Sequence, residues 1–424
     1  MYKSLFCALL LAIALQANAS YLLIQMDETQ KDHLKAYGVA YRCLAAGVNV
    51  DWLLNYKGGS FAVPYAAPLE AECRVRGVSY SVLADGQYNQ IVQKIADPEA
   101  NMDLVKLEKA PKIAVYTPRE KPHHPDLPWD DAVTLVLDYA EIPFDALYDE
   151  EVLLDKLSQY DWLHLHHEDF TGQYGKFYAS YSRQQWYIDQ VTYEERKAKE
   201  LGFNKVSQMK LAVAQKIKEY IVGGGFMFAM CSATDTYDIA LSAAGVDICE
   251  SIYDHDGSDP NAQTKLDFGK CLAFENFALT RNPMEYEFSN IDMPAQKRPI
   301  TQDKDYFTLF EFSAKWDPVP SMLTQDHTDV VKGFMGQTTA FNKKVIKKDV
   351  LIMGENKPAN EARYIHGDLG KGFWTFYGGH DPEDYQHFVG EPETDLTLHP
   401  NSPGYRLILN NVLFPAARKK HQKT

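Results

Sequence analysis

From Lys112 onward, short apolar runs alternate with stretches of helical period, and this alternation constrains the fold more than any other feature of the chain. Strands are predicted at 113–116, 144–147, 162–166, 226–230, 350–353 and 372–377. Helices are predicted at 130–140, 151–159, 207–222, 234–244 and 403–414. The strand runs carry little polar alternation, as expected of strands covered on both faces. Strands that take turns with helices predict an α/β fold: a doubly wound, mostly parallel, flavodoxin-like sheet. Two segments break the order and read as insertions, at about 169–206 and 246–350.

Residues 20–110 predict a smaller α/β unit. Its strands are expected at 21–24, 50–56 and 75–84, its helices at 27–46 and 87–95, and a linker over 97–111. Before it, Lys3, an apolar run from Leu5 to Leu15 and Ala17-Asn18-Ala19 have the form of a cleaved export signal over 1–19. That run is too short to span a bilayer, and no later segment is longer. The expectation is an exported chain, periplasmic or secreted, beginning near Ser20. With Cys7 removed, five cysteines remain, too few for a disulfide scaffold. Pairing of Cys249 with Cys271 across a hairpin is left open.

The chain has 43 Lys and Arg against 58 Asp and Glu, a formal charge of −15. Phosphate neutralisation needs a basic face, so nucleic acid is excluded as a partner. Oligomeric state is not legible.

In open α/β sheets, ligands bind beyond the carboxyl ends of the strands. Four polar clusters fall there: Arg119 to Asp130 after the first strand, His166-His167-Glu168-Asp169, Cys231 to Asp235, and His380-Asp381-Pro382-Glu383. Cys231 sits on a predicted strand-to-helix turn with Ala229 and Ala233 two positions to either side. Small residues there allow the sharp bend of a nucleophile elbow, and the following helix N-terminus favours a thiolate and a developing oxyanion. A buried thiol ending a core strand fits the same residues. His380 is the candidate base, with Glu383 to orient it. Ser232 supplies oxyanion N–H groups. Arg119, His124, His166, Glu168 and Asp235 are candidate substrate contacts. His166 and His167, adjacent on a strand end, are expected to diverge and to make no metal pair by themselves, only a site together with Glu168, Asp169 and a third ligand. The run 254–259 is calcium-like in composition, but Gly257 comes too early for an EF-hand loop, so a solvated turn is expected.

The stretch from Gly225 to Tyr237 resembles the class I glutamine amidotransferase-like fold. It is most similar to the ThuA-like branch, on Ala233-Thr234-Asp235-Thr236 and on Gly379-His380-Asp381-Pro382-Glu383. The whole chain also resembles exported bacterial proteins labelled asparagine synthetase B, including the segments 55–61 and 399–405. The ThuA-like resemblance covers about 112–415. It implies a hydrolase or amidotransferase-like enzyme acting on a C–N or related bond of a small-molecule or carbohydrate-derived substrate, with no cofactor.

Three chemistries therefore stand open. The first is a Cys231–His380–Glu383 hydrolase without cofactor or metal. The second is a non-catalytic carbohydrate-associated protein whose Tyr174, Phe177, Tyr178 and Tyr181 stack on sugars. The third is a metal-dependent hydrolase using His166, Glu168 and His380.

Overall fold

The computed structural model describes residues 19–117, 131–293, 301, 305–334, 338, 340–384 and 391–417. The predicted signal segment apart from Ala19 lies outside these residues, as do Arg119 and His124. Among the described residues no helix is long and apolar enough to cross a membrane.

The first sheet has five strands: β1 (Ala19–Ile24), β2 (Val50–Leu54), β3 (Ser60–Pro64), β4 (Ser81–Ala84) and β5 (Asp103–Leu107). Their order is β4-β1-β3-β2-β5, and every pairing is antiparallel. The expected linker over 97–111 is corrected here, because it contains β5, an edge strand held along β2. The expected strand over 75–84 begins only at Ser81. Its first residue instead ends a helix, Ala67–Val75, whose proline sits in the first turn, where a missing N–H costs nothing. Three helices belong to this part: α1 (His33–Ala45), α2 (Ala67–Val75) and α3 (Asp85–Ala96). The cap of α1 is Asp32, which accepts the Lys35 N–H, rather than Asp27.

The second sheet contains β6 (Ile113–Tyr116), β7 (Asp145–Leu147), β8 (Trp162–Leu165), β9 (Phe226–Met230) and β10 (Tyr306–Leu309). It continues with β11 (Val330–Lys332), β12 (Phe341–Asn342), β13 (Leu351–Asn356), β14 (Glu361–Leu369) and β15 (Gly372–Tyr377). Strand order is β11-β10-β13-β14-β15-β9-β8-β6-β7, with β12 on β14. The run β7-β6-β8-β9-β15 is parallel. The remainder is antiparallel. The sheet is therefore mixed, not mostly parallel. Strand β14 forms a hairpin with β15 through Gly370 and carries the sheet onward into the expected insertion over 246–350.

Helices cover both faces. On the central strands, alternate residues enter different cores. Ile113, Val115, Trp162, Phe226 and Phe228 face α4 (Ala132–Ala140) and a late helix, while Ala114, Leu163, Leu165, Met227 and Ala229 face the other side. A strand buried on both faces needs apolar residues at every position, which is why these runs lack polar alternation. The insertion over 169–206 carries α5 (Gln185–Glu200). Helices α6 (Val206–Gly223) and α7 (Ser232–Ser242) cover the second face, and α8 (Pro403–Leu413) shares the first face with α4. Helix α1 of the first part packs on α4, and a Cβ on Gly38 would lie 1.9 Å from the Ala140 carbonyl oxygen, so only glycine permits this approach.

Candidate metal centre

Period-2 alternation sends Trp162 and His164 of β8 to the α4 face, where their rings stack. Asp131 caps α4 on that face: its Oδ1 accepts the N–H groups of Val133 (2.8 Å) and Thr134 (3.0 Å). The same carboxylate meets two histidines. Both of its oxygens lie 3.2 Å from His164 Nε2, and Oδ2 lies 3.4 Å from His166 Nδ1. His164 Nδ1 donates to the Phe228 carbonyl at 3.3 Å. Burial works to raise the Asp131 pKa, but His164 and His166 outweigh it and hold it well below the carboxylate range.

Strand β8 ends at Leu165, so His166 and His167 lie in the turn beyond it and escape alternation. Their rings do not diverge as expected; they stack, with centroids 3.8 Å apart and planes 17° apart. His380, beyond the end of β15, closes the group. Its ring centroid is 4.4 Å from that of His167 and 4.8 Å from that of His166, and the Nε2 atoms of His167 and His380 are 3.1 Å apart. One ligand nitrogen from each of His166, His167 and His380 lies within 4.8 Å of the others, and Asp131, His164 and His166 form a second such set. His166 is 1% exposed, and neither ring nitrogen has a hydrogen-bond partner.

Cys231 occupies the turn between β9 and α7 at φ 50° and ψ −142°, a left-handed backbone that non-glycine residues avoid. Its N–H donates to the Gly379 carbonyl at 3.0 Å, so the turn and the His380 segment do meet. Burial pushes the thiol up to about 12; the Ser232 N–H acts the other way, and Asp235 and Asp292 add to the rise. Ser232 opens α7 and is buried. Asp235 is wholly buried and accepts the Thr338 hydroxyl at 3.0 Å, while the Thr338 N–H donates to Asp292 at 3.0 Å. Burial, then Asp292, pushes the Asp235 pKa well up. The Thr338 carbonyl accepts the Gly379 N–H, tying these acids to the His380 segment.

Glu383 does not orient His380. The Asp381 carboxylate, bonded to Tyr405 and Thr394, anchors a tight turn that swings Glu383 onto His399, with Oε2 3.4 Å from Nδ1. Glu168 folds back on its own strand end and accepts the His166 N–H at 2.6 Å; burial, then Asp131, pushes it up to about 8. The insertion's aromatics pack on one another and on Cys249 and Tyr253, with Tyr174 buried. Cys249 and Cys271 do not pair, since the first donates to the Thr171 carbonyl and the second to that of Asp238. In the calcium-like run, Asp254 and Asp256, with Asp247, surround the Lys205 ammonium.

Asp131 and His164 were not among the residues singled out as site candidates, and His167 was considered only as a ligand beside His166, Glu168 and Asp169. The signal was present: a strand-borne histidine is closely followed by two more at the strand's carboxyl end, and an N-cap aspartate follows the neighbouring strand.

No family model matches the chain, and no curated protein matches it. Among solved structures, it is similar to two proteins of Salmonella typhimurium. The cytoplasmic protein STM3548 has 11% identity and a TM-score of 0.35, over 73% of this chain and all of that one. The cytoplasmic protein STM1381 has 12% identity and a TM-score of 0.33, over 72% of this chain and all of that one. A third, the GH42 beta-galactosidase Gan42B, has 10% identity and a TM-score of 0.27, over 64% of this chain but 28% of that enzyme. Likenesses of this size carry no argument about fold or activity.

Proposed function

We propose that this chain is a metal-dependent hydrolase that holds a divalent transition metal on His166, His167 and His380. The observation that carries this reading is the convergence of three imidazoles at the carboxyl ends of β8 and β15, two of their nitrogens 3.1 Å apart. Nitrogen ligands about 2.0–2.1 Å from a four-coordinate zinc stand roughly 3.3 Å from one another. Three histidines leave a coordination position for water, and such an ion brings the pKa of bound water to about 7. Asp131 acts behind the ligands, fixing the His166 ring through Nδ1. Glu168 takes no ligand role in this reading, and His167 takes its place.

The parallel strands β6, β7, β8, β9 and β15 stand in the order second, first, third, fourth, fifth, which supports a flavodoxin-like core and the resemblance to the ThuA-like branch. The centre lies beyond the carboxyl ends of this run. A substrate with a hydrolysable C–N or related bond follows from the resemblance.

The test is metal content of the purified chain, with a chelator cycle. We expect one or more bound divalent ions, loss of the ion in His167→Ala and His380→Ala, and hydrolysis of an amide and glycoside panel that stops on chelation and returns with zinc or manganese. Full turnover after chelation sinks the reading.

A second reading keeps Cys231 as nucleophile, favoured by its elbow backbone and its bond to Gly379. It requires a thiolate where burial and two carboxylates oppose one. Activity that survives chelation but is lost in Cys231→Ala would select it.

A further inference from the structure

The hydrogen bonds of His164 raise a separate question. Its Nδ1 donates to the Phe228 carbonyl, which can only accept. In the neutral ring Nε2 is then a lone pair, yet it faces both oxygens of the Asp131 carboxylate at 3.2 Å. Two acceptors at this distance need a positive group between them, either a second ring proton or a bound cation. Asp131 Oδ1 already serves two helix N–H groups, whereas among the described residues the contacts of Oδ2 are the two rings. His166 Nδ1, the third atom, is 3.4 Å from Oδ2 and makes no hydrogen bond. Separations of 3.2–3.4 Å match the roughly 3.3 Å edge of a four-coordinate site.

We propose that Asp131 Oδ2, His164 Nε2 and His166 Nδ1 form a second divalent-cation position, joined to the first through the His166 ring. The proposal rests on the metal reading above and adds a second ion to it. With Nδ1 turned to Asp131, Nε2 is the nitrogen left for the set with His167 and His380. The His166 ring, its one N–H proton released to solvent to give the imidazolate, then serves both ions, which explains a buried ring with no hydrogen bond at either nitrogen. Two imidazoles and one carboxylate suit zinc, cobalt(II) or copper(II) rather than calcium or magnesium.

The experiment titrates metal-stripped full chain with cobalt(II) and zinc, and reads stoichiometry by calorimetry and elemental analysis. Two equivalents are expected in the wild type. His164→Gln and Asp131→Asn should each keep one, and Asn retains the helix cap, so D131N stays folded. His380→Ala should keep the other equivalent, and H164Q/H380A should keep none. In the copper(II)-loaded wild type, coupling through the shared ring should quench the paramagnetic resonance signal, and H164Q should restore it. One equivalent in the wild type, lost in H380A and only about 10–100-fold weaker in D131N, would leave the first site standing and overturn the second, making Asp131 an orienting group. Two equivalents that both survive H164Q also overturn it. No binding at all overturns both.

Discussion

The buried ionisable side chains make the sharpest statements at the level of single residues. Burial pushes the thiols of Cys43, Cys73 and Cys231 up to about 11, 12 and 12, and pushes those of Cys249 and Cys271 up as well. Thiolate is the reactive form. Native protein at pH 8 should therefore label negligibly with iodoacetamide, while guanidine should release all five for labelling, read by mass. Rapid native labelling of Cys231 would revive the nucleophile reading. Two histidines behave in parallel. Burial lowers His33 to about 3 and His366 to about 4. Their folded pKa values lie below the unfolded value near 6.5, so the unfolded chain takes up protons first. Stability should be full above pH 7 and fall as pH drops below about 6.5. The loss at pH 5 is about 2 kcal/mol for each histidine. Urea melts at pH 7.5 and 5.0 measure it, and His366→Gln should shrink the gap by its share.

At the scale of elements, loops are held by single carboxylates. Asp238 of α7 accepts the N–H groups of Leu272, Ala273 and Phe274 at 2.6–2.9 Å. Asp238→Ala strands three buried donors and should cost about 3 kcal/mol or more, read by denaturant midpoint. Element positions were legible where periodicity was strong: α6, α7, α8, β9 and β15 fall within a residue or two of expectation. Strand β5 was missed because Asp103–Leu107 is short, breaks the polar/apolar alternation at Leu104-Val105 and lies between Pro98 and Pro111, and its identity comes from pairing with β2. Strand β14 was missed because Glu361, Arg363 and His366 read as a polar segment. They are buried because Asp305 pairs with Arg363 and Thr375 bonds His366.

At the scale of the whole molecule, α8 ties the two sheets together. Arg406 is wholly buried and donates to the Tyr37 hydroxyl (3.1 Å) and the Met26 carbonyl (2.9 Å) in the first part, and also to the Gly58 carbonyl. Arg406→Met leaves the Gly58 carbonyl without this donor and takes one donor each from the Tyr37 hydroxyl and the Met26 carbonyl, which keep Asn410 and His33. It should lower stability by about 3 kcal/mol and split one cooperative melt into two, as followed by calorimetry. A single unchanged transition would mean that the apolar contact of α1 with α4 suffices.

Local chemistry settled which runs become strands or helices, because periodicity, caps and chain breakers act within a few residues of one another. It also marked the strand ends as the place for a site. The sequence alone could not rank Cys231 above the histidines, nor pair His380 with His167 rather than Glu383. Those partners lie 213 positions apart. Only the assembled sheet sets their strands on either side of β9, and only packing on both faces decides which polar groups lose water and must find one another.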